Sequence, residues 1–219
     1  MLNVKDRDIV LPGQLMGTNV RHDADFFREN GLIYSPVQGL VRVVDNSIRL
    51  IPLAGSYLPT VDDTIVGVIS EVLTGRWIVD INTPYEGTLY GDEVTENPLH
   101  ADLKKFFDIG NIISAKIVAV NEIYESIVAR PWKLERGFVV EINPKRIPRI
   151  IGKKQSMLNM LREKTNSKIV VGQNGRVWVS GNNLDTVIRA LKKIEREAHT
   201  GGLTDRIGEM LDNELKKSR

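Results

Sequence analysis

Lys145-Arg146-Ile147-Pro148-Arg149-Ile150-Ile151-Gly152-Lys153-Lys154 carries five cations in ten residues. It runs directly into Gln155-Ser156-Met157-Leu158-Asn159-Met160-Leu161, where apolar residues recur at helical spacing. Ser156 opening that run reads as a helix N-cap, and the pattern predicts a helix from Ser156 to Thr165. Cations spaced around a tight loop, followed by free backbone N–H groups at a helix start, are what a phosphodiester backbone needs. The stretch therefore marks a fold element and a candidate polyanion site together.

Working outward, Phe138 to Ile142 predicts a strand that leads into the basic segment Asn143 to Gly152. Downstream come strands from Lys168 to Val171 and Val177 to Ser180, joined by the hairpin signal Gln173-Asn174-Gly175, then a long helix from Leu184 to Ala198. Strand, helix, helix, strand, strand, helix is the order of a type I KH domain. In that domain a Gly-x-x-Gly loop lets a nucleic-acid backbone approach closely and clamps about four nucleotides. The matching stretch here is Gly152-Lys153-Lys154-Gln155, with Gln155 in place of the second glycine. If that position requires positive φ, a side chain there costs about 1–2 kcal/mol. Two readings stand: an RNA-contacting surface built from Lys145, Arg146, Arg149, Gly152, Lys153 and Lys154, or a solvated basic loop on a KH scaffold. Gly201-Gly202 reads as the stop of the long helix. The tail from 201 to 219 predicts an amphipathic helix striped by Leu203, Ile207, Met210, Leu211 and Leu215, suited to packing on the KH domain or to a partner.

Residues 59–133 change rhythm. Five strand-like runs, Thr64 to Val72, Arg76 to Ile81, Glu86 to Tyr90, Ile112 to Asn121 and Ser126 to Arg130, surround a short helical segment from Ala101 to Phe107, and Arg130-Pro131-Trp132-Lys133 reads as a break. Five strands with a helix between the third and fourth is the plan of an OB-type barrel, whose second and third strands commonly hold single-stranded nucleic acid. Trp77 and Tyr90 are candidate stacking residues, with Arg76, Lys104, Lys105, Lys116 and Arg130 as nearby cations; Trp77 reads equally well as a core residue of a small barrel. Residues 1–58 show short alternating runs broken by Pro12-Gly13, Asn30-Gly31, Ser35-Pro36, Gln38-Gly39 and Asp45-Asn46, the grammar of a small antiparallel β unit. The expected layout is thus an N-terminal β domain over 1–58, a barrel over 59–133, a KH domain over 134–200 and a C-terminal helix over 201–219.

The charge is unevenly spread. Residues 1–58 hold 6 Lys+Arg and 6 Asp+Glu; 59–135 hold 6 and 13; 136–219 hold 18 and 9, a local net of +9 inside a chain whose total is only +2. The last third is therefore expected to meet a polyanion, and the neutral first third to serve docking or scaffolding. With no cysteine in 219 residues, disulfides, thiolate zinc sites and cysteine nucleophiles are excluded. Asp62-Asp63 and Asp92-Glu93 are adjacent carboxylates, which on a strand would point to opposite faces and so make no metal site alone; both pairs read as solvated turns, and His22, His100 and His199 have no ligand spacing. No P-loop or dinucleotide fingerprint is present. No catalytic, metal or cofactor site is therefore expected. Nor does any stretch reach the ~20 apolar residues of a membrane span, and the N-terminal residues have no signal or transit pattern, so a cytoplasmic protein is expected.

Several strings together resemble one family. They are Val10-Leu11-Pro12-Gly13 and Pro52-Leu53-Ala54-Gly55-Ser56-Tyr57-Leu58-Pro59 in the first module, and Val66-Gly67-Val68-Ile69, Trp77-Ile78-Val79-Asp80-Ile81, Gly87-Thr88-Leu89-Tyr90 and Gly110-Asn111-Ile112-Ile113-Ser114-Ala115-Lys116-Ile117 in the second. Ile150 to Leu161 carries it in the third. The chain resembles the RNA-binding cap subunit of the archaeal exosome, built as an N-terminal domain, an S1 domain of OB type and a KH domain. The resemblance implies a non-catalytic subunit, three copies of which sit on a hexameric ring of RNase PH-like subunits and thread single-stranded RNA through a pore lined by S1 domains. The N-terminal module would dock on the ring and the KH module would catch RNA. The other cap type of that machine carries a zinc ribbon, which the absence of cysteine disfavours. Gln155 departs from the family loop, and Thr88 stands where S1 domains often place an aromatic. The alternative is a stand-alone transcription or translation factor that uses S1 and KH modules without a ring; a nuclease is disfavoured because no carboxylate or histidine cluster is visible.

Overall fold

The computed structural model describes all of the chain except residues 1, 19, 23–25, 45–46, 54, 199 and 218–219. The expected Asp45-Asn46 turn, Ala54 and His199 lie outside the described residues, as do the side chains of His22 and Leu215. Two units are separate in their contacts, Met1–Gly55 and Ser56–Arg219.

Alternating runs and frequent turn formers in the first unit produce seven short strands among the described residues: β1 (Ile9–Val10), β2 (Leu15–Thr18), β3 (Arg21–His22), β4 (Phe27–Glu29), β5 (Leu32–Tyr34), β6 (Gly39–Val44) and β7 (Ser47–Pro52). They form two sheets, ordered β1-β6-β7-β3 and β2-β5-β4. Asn30-Gly31 makes the β4–β5 hairpin, with Glu29 opposite Leu32. One pair departs from the antiparallel expectation: β3 runs parallel to β7. Val10, Met16, Ile33, Val41 and Ile48 fill the core, while Ile9, Leu11, Phe27, Val44 and Ile51 stay exposed.

The second unit begins with the barrel: β8 (Thr64–Leu73), β9 (Arg76–Asp80), β10 (Glu86–Tyr90), β11 (Ile112–Val120) and β12 (Ser126–Leu134). It closes in the order β10-β12-β11-β8-β9, with β10 parallel to β12 and every other pair antiparallel; this is the Greek-key closure of an OB barrel. Two expectations are corrected. The segment from Ala101 to Phe107 forms only a 3-10 turn at Leu103–Lys105. The barrel takes Leu103 and Phe107 into its core, which leaves a single turn between them. Nor does β12 stop at Arg130. Arg130 has a φ of 53°, and the register with β11 shifts there, Ala129 facing Lys116 and Trp132 facing Ser114. Arg130-Pro131 thus forms a bulge opposite Ala115, and a bulge is where a strand tolerates a residue without an N–H donor.

The KH portion follows as β13 (Phe138–Glu141), α1 (Ile147–Ile151), α2 (Ser156–Thr165), β14 (Lys168–Val171), β15 (Arg176–Ser180) and α3 (Leu184–Glu197), the type I order, then α4 (Leu203–Lys217). Its sheet is ordered β13-β15-β14 and is antiparallel throughout. On α3, Val187, Ala190, Leu191 and Ile194 recur at helical spacing and bury one stripe, the pattern of a core-facing helix. They pack with Ile150, Leu161, Val177 and Val179, and with Leu203, Ile207 and Leu211 of α4. The C-terminal helix is therefore part of the KH core.

The other face of the KH sheet meets the barrel. Trp178 packs with Val66 and Leu134, and the β14–β15 turn inserts a fully buried Asn174. Its Oδ1 accepts from Val66 N–H at 3.2 Å, and its Nδ2 donates to the carbonyls of Val66 at 2.8 Å and Ile81 at 3.0 Å. Beside it, Arg176 donates to the Asp80 carbonyl at 2.9 Å and to its carboxylate at 2.7 Å. These bonds satisfy backbone groups that would otherwise be buried without partners.

Candidate nucleic-acid interface

Gly152 ends α1 with φ 73° and ψ 173°. A Cβ there would lie 2.8 Å from the Met157 nitrogen, so glycine is required at this corner. Lys154 (φ 51°) and Gln155 (φ 63°) are both left-handed. The condition set by the sequence is met: the chain carries a strained glutamine at a position glycine would occupy freely. Gln155 is also the residue preceding α2, and neither it nor Ser156 supplies a side-chain cap. Ser156 is the first helical residue rather than the N-cap, because the left-handed pair carries the chain into the helix.

Lys145, Arg149, Lys153 and Lys154 are exposed and Arg146 is half-buried. Asn143 holds this approach by accepting from Lys145 N–H at 3.0 Å, and Pro144 opens a 3-10 turn ahead of α1. None of the five cations is ion-paired among the described residues. Three other cations of the KH portion are tied: Lys164 to Asp212 at 2.6 Å, Arg206 to Glu197 at 3.0 Å, Lys192 to Glu195 at 3.1 Å. An unpaired cation gives up no partner when a phosphate arrives, so these five, clustered around one loop, are electrostatically free to bind a polyanion. A cleft of about 350 Å³ adjoins the loop, lined by Arg149, Gly152, Lys153, Thr200, Gly202 and Asp205.

The barrel candidates divide. Arg76 and Tyr90 face each other across β9 and β10; Arg76 is exposed and Tyr90 is 41% exposed. Tyr90 and Thr88 line a cleft of about 250 Å³ with Asn121, Glu125 and Ile127. Trp77 is corrected as a stacking residue. It is fully buried, its Nε1 donates to the Phe107 carbonyl at 2.9 Å, and its ring meets Phe107 edge-on at 5.4 Å. An inward position on β9 takes it out of reach of any base, and the core reading holds. Lys116 is engaged by Asp62 at 2.7 Å, which holds the Asp62 carboxyl below its ordinary range; the bond and charge of Lys116 lead, and Arg130 adds a smaller share. Arg130 is exposed and its N–H donates to Glu93 at 2.8 Å. Lys104 and Lys105 project from the 3-10 turn.

Asp62 and Asp63 lie in the turn ahead of β8 and point apart, and Asp92-Glu93 lie in a 3-10 turn after β10. Asp63 accepts from the Tyr57 hydroxyl at 2.7 Å while Asp62 meets Lys116. His100 is exposed, and among the described residues no three His, Asp or Glu side chains converge. No helix among the described residues is long and apolar enough to cross a membrane. Sequence reasoning missed Asn174 and Arg176, whose partners lie in the barrel, and Trp132, which is 73% exposed on the strand extension that had read as a break. Composition of the Arg130–Lys133 stretch, one tryptophan between cations, was the available signal.

The chain matches known proteins along its length. Residues 7–54 match the N-terminal domain of the exosome RNA binding protein RRP4, and residues 137–185 match the KH domain. The exosome complex component Rrp4 of Thermococcus kodakarensis is 43% identical, over 98% of this chain and 88% of the relative. That of Methanothermus fervidus is 42% identical, over 96% of this chain and 98% of the relative. A crystal structure of a protein described as an exosome complex RNA-binding protein superimposes with a TM-score of 0.67 at 35% identity, covering 75% of this chain and all of that one. The unpaired cations at a KH loop, the OB-type barrel and these relatives converge: the chain belongs to the Rrp4 family of RNA-binding exosome components.

Proposed function

We propose that this chain is a non-catalytic cap that recruits single-stranded RNA to an exosome and raises its affinity and processivity. Three copies sit on a hexameric ring of RNase PH-like subunits and guide RNA 3′ ends through a pore framed by the barrels. The observation that carries the reading is the group of five cations around Gly152, clustered within ten residues and free of ion pairs among the described residues, in a domain whose Lys164, Lys192 and Arg206 are ion-paired. Lys145, Arg146, Arg149, Lys153 and Lys154 engage phosphates, and Gly152 admits the backbone. Arg76 and Tyr90 contact RNA at the barrel, with Lys104, Lys105 and Arg130 as secondary cations; Lys116 contributes only by exchanging Asp62 for a phosphate. The N-terminal unit docks on the ring, supported by its charge balance and its exposed Ile9, Leu11, Phe27 and Val44.

The test is the mass of the chain mixed with purified RNase PH-like ring subunits, by light scattering behind size exclusion, with RNA decay assayed on the same fractions. Three copies per ring, with decay requiring the ring, is the expected result. No association with RNA binding intact would instead support a stand-alone S1/KH factor. RNA shortening by the isolated chain would overturn the non-catalytic role.

A further inference from the structure

A groove of about 740 Å³ runs along the seam between barrel and KH sheet, within the second unit, bounded by the end of β12, the edge of β14 and Arg162 of α2. Its rim carries Trp132, 73% exposed, on the part of β12 past the Arg130-Pro131 bulge, where the strand goes on pairing with β11. Lys133, Arg162 and Lys168 bring three cations to it, against the single carboxylate of Glu135, which sits 3.8 Å from Lys133. Arg162 is anchored by donating from Nε to the Ile169 carbonyl at 3.2 Å, so its charge is fixed at the edge of β14. Lys168 is exposed and makes no ion pair among the described residues. Trp178 forms part of the wall; it is 5% exposed, and its buried Nε1 donor has no acceptor among the described residues.

We infer that this groove is a second contact for single-stranded RNA, in which one base stacks on Trp132 and the flanking phosphates lie toward Lys133 and Lys168. A flat, hydrated indole beside a net-positive rim is the combination that single-strand binders use, since every base offers a π-face and stacking tolerates any sequence. The cations and Glu135 together leave the groove net positive, which selects a polyanion over an acidic-poor apolar partner. This inference rests on the RNA-binding reading above but uses a surface separate from the Gly152 loop.

The test is titration of the full chain with fluorescein-labelled oligoadenylate RNA, followed both by anisotropy and by tryptophan emission. Trp77 and Trp178 are buried, so acrylamide-accessible emission reports Trp132. RNA should quench that emission and shield it from acrylamide, and Trp132→Ala should weaken binding about 5-fold or more, the low end of one stacked base at 1.4 kcal/mol per factor of ten. Trp132→Phe should retain most of the affinity. Unchanged affinity in Trp132→Ala, with binding still lost in Lys153→Glu/Lys154→Glu, would overturn the groove and leave the RNA-binding reading standing. Absence of RNA binding by the unaltered chain would overturn both. Loss of self-association rather than of RNA affinity in Trp132→Ala would assign the face to a second copy of the chain and overturn the groove.

Discussion

Two four-residue stretches of the KH portion invite comparison. Gly152-Lys153-Lys154-Gln155 occupies the position of the nucleic-acid loop yet lacks its second glycine, whereas Gly172-Gln173-Asn174-Gly175 has both glycines and turns into the barrel. The second is a structural plug: Asn174 is fully buried with three hydrogen bonds to the barrel, and a Cβ on Gly172 would fall 2.6 Å from the Val66 nitrogen. The first is exposed and tolerates a left-handed glutamine. A glycine pair is thus a statement about backbone approach, and whether the approaching chain is RNA or the protein itself is decided by what surrounds it.

The largest expected effect lies at the plug. Asn174→Ala would strand the Val66 N–H and carbonyl and the Ile81 carbonyl, at a cost of about 3 kcal/mol in urea unfolding. A loss below about 1 kcal/mol would mean that water replaces the side chain and that the seam is not held by it. Next in size, Lys153→Glu/Lys154→Glu should weaken RNA binding about tenfold or more through lost and reversed phosphate contacts. Exposed side chains without partners leave stability within about 0.5 kcal/mol, so a large unfolding shift would break the contrast between the stretches.

The same division between buried and exposed polar groups recurs at the barrel entrance. Burial raises the Asp63 carboxyl above its usual range, with the Tyr57 hydrogen bond opposing, and burial together with Asp63 raises the Tyr57 phenol. Because the folded value of Asp63 lies above the unfolded value of 3.8, its titration favours folding as pH falls through the folded value, fully so below 3.8. That contribution is lost as pH rises again. Tyr57→Phe removes the donor that holds the anion and should cost about 1 kcal/mol at neutral pH, shrinking toward pH 4. An equal cost at both pH values would show that the bond does not discriminate protonation states. The smallest effect is at Gln155. Gln155→Gly should raise stability by about 0.5 kcal/mol, the relief of a left-handed side chain less the added freedom of the unfolded glycine. It should also tighten RNA binding if a backbone approaches there. Unchanged affinity would mean that the loop holds RNA by charge alone.

Much of this was legible in the sequence because it depends on local pattern. Alternation marks β8 to β11, helical spacing marks α2 and α3, and five neighbouring charges can hardly all be buried. The order of elements then leads to OB and KH topologies. What was illegible depends on partners far away in sequence. Asn174 reads as a hairpin residue, and nothing near it reveals bonds to Val66, 108 positions distant. Trp77 and Trp132 are the same residue type on strands of one barrel, and only the inward register of β9 and the bulge in β12 make one fully buried and the other 73% exposed. The segment 101–107 carries helix-like residues, yet the barrel takes Leu103 and Phe107 as core and leaves a single turn. Conversely α1 hides inside the basic segment because Pro148 and clustered cations mask five helical residues.

The central claim is that the unpaired cations around Gly152 make the principal RNA contact. The salt dependence of RNA affinity for the full chain tests it most directly. At ~0.7 per phosphate neutralised on a single strand, the five cations account for a log–log slope of up to about −3.5, and Lys153→Glu/Lys154→Glu should make it shallower by about 1.4. A slope near zero, or one the double substitution leaves unchanged, would contradict the account.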